Sequence, residues 1–356
     1  MKPKFIIGTG FGWSATTPLF YTLTITNEFM SPGLAKEDNY LKNFEKKVYK
    51  PGSLFRERAD KKQGIRTQRE KYKRKKLEYT NKLNHKNRST GGLKPESVKH
   101  RYFTQEEVDE YYSPPYTIEK YITYYRKHWE YLQEHGAPHH AVCDFSNING
   151  SLSKECIGKV VSALSEHFEV KVLCIVRDPI RRQWSESCSI SNPKARALWE
   201  SPEQHLDYYF KSLLTLNRDY LEQYDRWSSF APYHMVVMEQ LWEGDQQERE
   251  VSRLSDFIEF DIQELHSNVY SPDCGTNPPH IPGLVDQWTS DNFQLKDHIY
   301  YKSIPYFQSQ YDAWEQRFGS LPLYWGKPYP YPVEQPEIAK RGLMKGYTPQ
   351  ESYYEI

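Results

Sequence analysis

The stretch from Ala141 to Val176 constrains this chain more than any other. An apolar run, Ala141–Asp144, leads into Ser153–Phe168, where Ile157, Val160, Val161, Leu164 and Phe168 recur at helical spacing. A second apolar run, Lys171–Val176, follows. Ser153 suits the N-cap of the intervening helix. Strand, helix and strand joined by short links form a βαβ unit, and such a unit requires a parallel sheet with helices packed on it. Two further runs, Phe5–Gly8 and His234–Met238, look like strands of the same kind. Leu206–Trp227 and Glu248–Phe260 read as further helices. The expected fold is therefore α/β, in three layers, with a central parallel sheet flanked by helices. It is expected to occupy residues 1–328 as a single domain.

Composition adds little to that frame but bounds the partners. Only 38% of residues are apolar, yet 15% are aromatic, and each buried ring covers a large area. Formal net charge is zero, so the molecule as a whole favours no charged partner. The charge is unevenly spread: Arg56–Arg88 holds 14 Lys or Arg against 4 Asp or Glu, inside a stretch of about 34–115 that reads as a basic insertion. This segment is either a solvated lysine-rich element or an electropositive arm for an anionic substrate. Nucleic acid is disfavoured as a partner, because no recognised binding motif accompanies the charge. Residues 329–356 are rich in Pro and Tyr and read as an extended tail. The five cysteines are scattered and lack metal-ligand spacing, which suits reduced thiols in a cytoplasm. A strand pattern begins at Phe5 with no signal-peptide pattern before it, and no apolar run nears the roughly 18–20 residues of a membrane span. The expectation is a cytoplasmic protein without a membrane partner.

Two motifs carry chemistry. The first, Gly8-Thr-Gly-Phe-Gly-Trp-Ser-Ala-Thr-Thr17, directly follows the first strand. Its glycines permit a tight turn with inward-pointing backbone N–H groups, and Ser14, Thr16 and Thr17 add hydroxyls. A strand, such a loop and a helix together make a phosphate cradle, here spanning Gly12, Trp13, Ser14, Ala15, Thr16 and Thr17. The Gly-Lys-Ser/Thr ending of a nucleoside-triphosphate loop is absent, which argues against a kinase or NTPase. The second, Val176-Arg177-Asp-Pro-Ile-Arg-Arg-Gln-Trp-Ser185, follows the third strand. Asp178 suits an N-cap and Pro179 the first helical position. Arg177 and Ser185 are then placed to grip one phosphate from two sides, the guanidinium through parallel hydrogen bonds. Both motifs lie at C-terminal strand ends, where open α/β sheets bind ligands. Two grips on one sheet suit a nucleotide phosphorylated at both ends. PAPS (3'-phosphoadenosine 5'-phosphosulfate) is such a molecule.

The arrangement resembles the PAPS-dependent sulfotransferases, in particular glycan-type members, whose fold is P-loop-like. Arg177-Asp-Pro-x-x-Arg-x-x-Ser185 matches their 3'-phosphate motif at every defining position, and Ser14-Ala-Thr-Thr17 is similar to the Ser-Gly-Thr-Thr end of their 5'-phosphosulfate loop. Asp144-Phe-Ser-Asn-Ile resembles their Asp-x-Thr-Pro-x-Tyr stretch, and Val237-Met-Glu-Gln-Leu241 with Leu254-Ser-Asp-Phe-Ile258 their later strand, loop and helix. The fit covers roughly residues 4–20 and 98–260. The resemblance implies PAPS as donor, PAP as product, no required metal, and an acceptor hydroxyl or amine, with carbohydrate among the candidates. His139 and His140 are adjacent and have no partner at metal-ligand spacing.

Three departures and choices remain open at this level. The family usually carries Lys or Arg where this chain has Trp13, which leaves three options: a cation comes from elsewhere, activity is weak, or the protein binds the nucleotide without transferring its sulfuryl group. Lys99, in the Lys99-His-Arg-Tyr-Phe103 stretch, is the candidate replacement. For the general base, Asp144 stands first and His100 second, with Lys99 sharing the register of His100. Asp144 has an alternative role as a loop-orienting carboxylate.

Overall fold

In the computed structural model, the described residues are 2–12, 14–32, 40–49, 105–134, 136–187, 202–214, 219–242, 246–265, 295 and 297–327. Five strands form one sheet: β1 (Lys4–Gly10), β2 (Met30–Pro32), β3 (Ala141–Asp144), β4 (Glu169–Val176) and β5 (Tyr233–Val237). Their order is β2-β3-β1-β4-β5, and the sheet is parallel and flanked by helices, the α/β class the sequence implies. Lys4–Ile7 run in register with Ala141–Asp144, and Met30–Pro32 with Ala141–Cys143. β1 and β4 are buried along nearly their whole length, as interior strands of a parallel sheet must be. Met30-Ser-Pro32 carries no apolar run, so β2 has no strand signature of its own; its proline sits on the sheet's edge, where a missing N–H is tolerated.

Between and after the strands lie α1 (Thr16–Tyr21), α2 (Tyr40–Tyr49), α3 (Gln105–Tyr112), α4 (Ile118–Glu134), α5 (Lys154–Ser165), α6 (Pro179–Ser187), α7 (Pro202–Leu213), α8 (Tyr220–Ser228), α9 (Met238–Trp242), α10 (Gln247–Ile258) and α11 (Asp297–Phe318). Residues Leu206–Trp227, expected as one helix, form parts of two. Asp219 Oδ1 accepts from the N–H groups of Leu221 and Glu222 and so starts α8 afresh. The expected N-cap at Ser153 is present, its hydroxyl accepting from Cys156 N.

The chain divides into two compact units, each discontinuous in sequence. The described residues of the first fall within Met1–Gly10, Leu23–Cys174 and Tyr224–His234. Its core joins Phe5 and Ile7 of β1 to α4, which buries Tyr121, Ile122, Tyr124, Tyr125, His128 and Leu132 on one stripe, and to the apolar face of α5. Phe5 packs edge-on against Tyr125 and Phe168, at 4.7 and 5.3 Å between ring centroids. Tyr40, Leu41, Phe44 and Tyr111, all inside the stretch read as a basic insertion, belong to this core. The residues 50–104 that hold most of its charge, and the tail beyond 327, lie outside the described residues.

The second unit's described residues fall within Phe11–Thr22, Ile175–Gln223 and Met235–Ile356. Here α6 packs against α7 and α11. Trp184 meets Tyr209 at 5.1 Å, and Tyr209 donates to Ser303 Oγ at 3.0 Å. Among the described residues no helix is long and apolar enough to cross a membrane.

Candidate functional site

The strand order locates the place to look. From β1 the chain leaves toward β2 on one side of the sheet, and from β4 toward β5 on the other. β1 and β4 are neighbours, so the connections diverge between them, and the carboxyl ends of such a pair flank a crevice in open α/β sheets. The loop after β1 is Phe11–Ala15 and the corner after β4 is Arg177–Asp178. These are the two motifs singled out from the sequence, and both belong to the second unit.

The first loop turns sharply. Ser14 N donates to Phe11 O at 3.3 Å, and Ala15 takes a left-handed conformation, φ 60° and ψ 30°, before α1 begins at Thr16. A side chain with a Cβ pays for that conformation where glycine would not. Ser14 is fully buried, and its Oγ has no hydrogen-bond partner among the described residues. A buried hydroxyl left unmet costs free energy, so Ser14 Oγ is available to a donor or acceptor that enters this loop. Gly12 is half-buried and Thr16 buried; Trp13 and the Thr17 side chain lie outside the described residues.

The second corner is built as its residue types dictate. Asp178 Oδ1 caps α6, accepting from Ile180 N at 2.9 Å and Arg181 N at 3.0 Å, and Pro179 is the first helical residue. Asp178 Oδ2 accepts from Tyr300 Oη at 2.7 Å, Tyr311 Oη at 3.2 Å and Gly326 N at 3.3 Å. Burial, with the Asp178 charge beside them, holds both tyrosine hydroxyls well above the usual phenol range. Asp178 N in turn donates to Glu239 Oε1 at 2.9 Å. Burial raises the Glu239 carboxyl, and the guanidinium groups of Arg181 and Arg177 pull it back down against the push of Asp178. Arg177 and Ser185 are both half-buried.

The three arginines of the motif divide their labour. Arg181 donates to the carbonyls of Tyr324 at 2.6 Å and Lys327 at 2.9 Å. Arg182 is buried in an ion pair with Glu186 at 2.8 Å, and its guanidinium lies 5.9 Å from the Phe11 ring centroid. Phe11 also meets Tyr220 edge-on at 4.7 Å, so the loop after β1 and the corner after β4 share neighbours. Arg182 thus serves as a structural partner, and Arg177 is the arginine at the strand's end.

Asp144 lies in the first unit, at the end of β3. It is fully buried and accepts from Tyr121 Oη at 2.8 Å, Ser146 N at 3.2 Å and Ser146 Oγ at 2.6 Å. Burial raises its carboxyl, while Ser146, Tyr121 and Asn149 act in the opposite direction. A carboxylate so enclosed orients the turn that follows β3. Lys99 and His100 lie outside the described residues. Sequence reasoning missed Tyr220, Glu239, Tyr300 and Trp325. The one available signal was Glu239, an acidic residue directly after a strand. Comparisons with family models, with curated proteins and with solved structures returned no match.

Proposed function

We propose that this chain is a sulfotransferase that binds PAPS and passes its sulfuryl group to a hydroxyl or amine. The observation that carries the reading is the pairing, at one divergence point of the sheet, of an orphaned buried hydroxyl, Ser14 Oγ, with the Arg177–Ser185 corner. In this reading Ser14 and the loop N–H groups hold the 5' end, and Arg177 with Ser185 holds the 3'-phosphate. PAPS supplies a sulfuryl group on a phosphate leaving group. In the transfer the bond from sulfur to the bridging oxygen breaks as a bond from sulfur to the acceptor oxygen or nitrogen forms, and the acceptor's proton passes to a base. The loop's donors act on the charge that gathers on the departing phosphate oxygen, the kind of stabilisation that preorganised hydrogen bonds supply. A full positive charge and the base come from outside the first loop; Lys99 is the candidate for the charge, and Asp144 and His100 are the candidates for the base.

Trp13 favours a second reading, a module that binds PAP or PAPS without transfer, since the resembled family has a cation there. A thermal-shift panel tests the shared part. PAP and PAPS are expected to raise the melting temperature without magnesium. Stabilisation by ATP with magnesium and none by PAP would overturn the proposal in favour of a phosphoryl-transfer protein. Labelled PAPS with a panel of hydroxyl and amine acceptors then separates enzyme from binding module.

A further inference from the structure

We infer that Trp325 is a positioning residue for Arg177, acting through the peptide unit that joins Arg177 to Asp178; the inference rests on the donor-site reading above. The carbonyl oxygen of that peptide accepts from Tyr220 Oη at 2.7 Å, and its N–H donates to Glu239 Oε1 at 2.9 Å. Side chains therefore hold both polar groups of one peptide plane. Because the peptide is planar, fixing both groups fixes the plane, and with it the backbone from which the Arg177 side chain departs.

Trp325 touches both of these holders. Its Nε1 donates to Glu239 Oε2 at 3.1 Å, and its ring packs 5.9 Å from that of Tyr220, with 46° between the planes. Only 4% of Trp325 is exposed, and Trp314 of α11 packs against it at 4.7 Å. The turn that carries it is tied to the same corner on either side. Arg181 grips the carbonyls of Tyr324 and Lys327, and Gly326 N donates to Asp178 Oδ2. Tyr324 and Gly326, which flank Trp325, both have φ 73°, a tight reversal that aims the indole inward. A segment nearly 150 residues downstream thus sets the orientation of the Arg-Asp-Pro corner. A guanidinium that grips phosphate through two parallel bonds depends on such orientation more than a point charge does.

The test measures dissociation constants for PAP and for 5'-AMP, whose ratio isolates the grip on the 3'-phosphate. Trp325→Phe keeps an aromatic ring and removes the Nε1 donor. Tyr220→Phe removes only the hydroxyl that meets Arg177 O. Each is expected to weaken PAP by about tenfold, the scale of one lost hydrogen bond to a charged group, while 5'-AMP changes by less than about twofold. Arg177→Ala sets the reference by erasing the preference for PAP. If both variants keep the wild-type ratio while Arg177→Ala loses it, the inference is overturned and the donor-site reading stands. If wild-type protein shows no preference for PAP over 5'-AMP, the donor-site reading fails and takes the inference with it. Should Trp325→Phe not fold, Tyr220→Phe decides alone.

Discussion

Asp178→Ala is the substitution whose cost the structure fixes most tightly. The carboxylate is fully buried and accepts from five groups: two N–H groups at the start of α6, two tyrosine hydroxyls of α11 and Gly326 N. Losing the N-cap alone costs about 1 kcal/mol. Each of the other three donors, left buried and unmet, costs about 1–3 kcal/mol. These costs overlap, because Tyr300 and Tyr311 also bond to each other and can satisfy one another in part. Arg181, whose guanidinium sits 3.9 Å from Oδ2, loses a nearby counter-charge. The expected loss is about 4 kcal/mol, the scale of breaking a buried charged cluster by removing one partner. Asp178→Asn keeps an acceptor for the cap and offers an amide that the tyrosine oxygens can accept, but it faces Gly326 N with a donor. Its expected cost is about 2 kcal/mol. Urea unfolding followed by tryptophan fluorescence gives both values. An alanine variant within about 1 kcal/mol of wild type, or an asparagine variant worse than alanine, would refute the reasoning.

Four other substitutions test separate parts of the structure. Burial, with His140 adjacent, lowers the His139 pKa from 6.5 to about 4, so below pH 6.5 the unfolded chain takes up a proton that the folded chain refuses. Stability is then lost as pH falls, by about 2 kcal/mol between pH 7 and pH 5, and urea midpoints of His139→Gln should show that much less loss. The raised carboxyls of Asp144, Glu239 and Glu250 contribute the opposite slope in both proteins, so the difference between the two isolates His139. Gly8→Ala would put a Cβ 2.3 Å from the Phe145 ring and 2.8 Å from its Cα, so soluble folded protein should be lost; Gly158→Ala meets only the edge of Phe230, 39% exposed and able to move, and should be near neutral in melting temperature. Ala15→Gly relieves the left-handed backbone and is expected to stabilise by about 1 kcal/mol in urea titration; a destabilised variant would refute this.

What could be read from the sequence depended on how local its cause was. β1, β3, β4 and β5 each carry an apolar run within two residues of the observed strand, and α5 shows both its cap at Ser153 and its periodicity. Asp178 and Pro179 marked the start of α6 because capping is a contact between near neighbours. β2 was illegible, since three residues ending in proline pair with β3 through the backbone alone. In α11, Tyr300, Ser303, Phe307, Tyr311 and Trp314 are buried at helical spacing, but a serine in that series and Pro305 inside the helix hide the pattern. The network of Glu239, Tyr300 and Trp325 around Asp178 joins residues 61 to 147 positions away along the chain, and no spacing rule reports contacts of that range. For Asp144 the sequence identified a strand-end carboxylate; two of its three hydrogen bonds come from Ser146, two residues on, and the third from Tyr121 of α4, an element absent from the sequence reading.

The most direct test of the central claim is a crystal structure of the chain with PAP. The 3'-phosphate is expected within about 3 Å of the Arg177 guanidinium and the Ser185 hydroxyl, with the 5'-phosphate accepting from Ser14 Oγ. PAP bound away from both loops, or bound with Ser14 Oγ still without a partner, would contradict it.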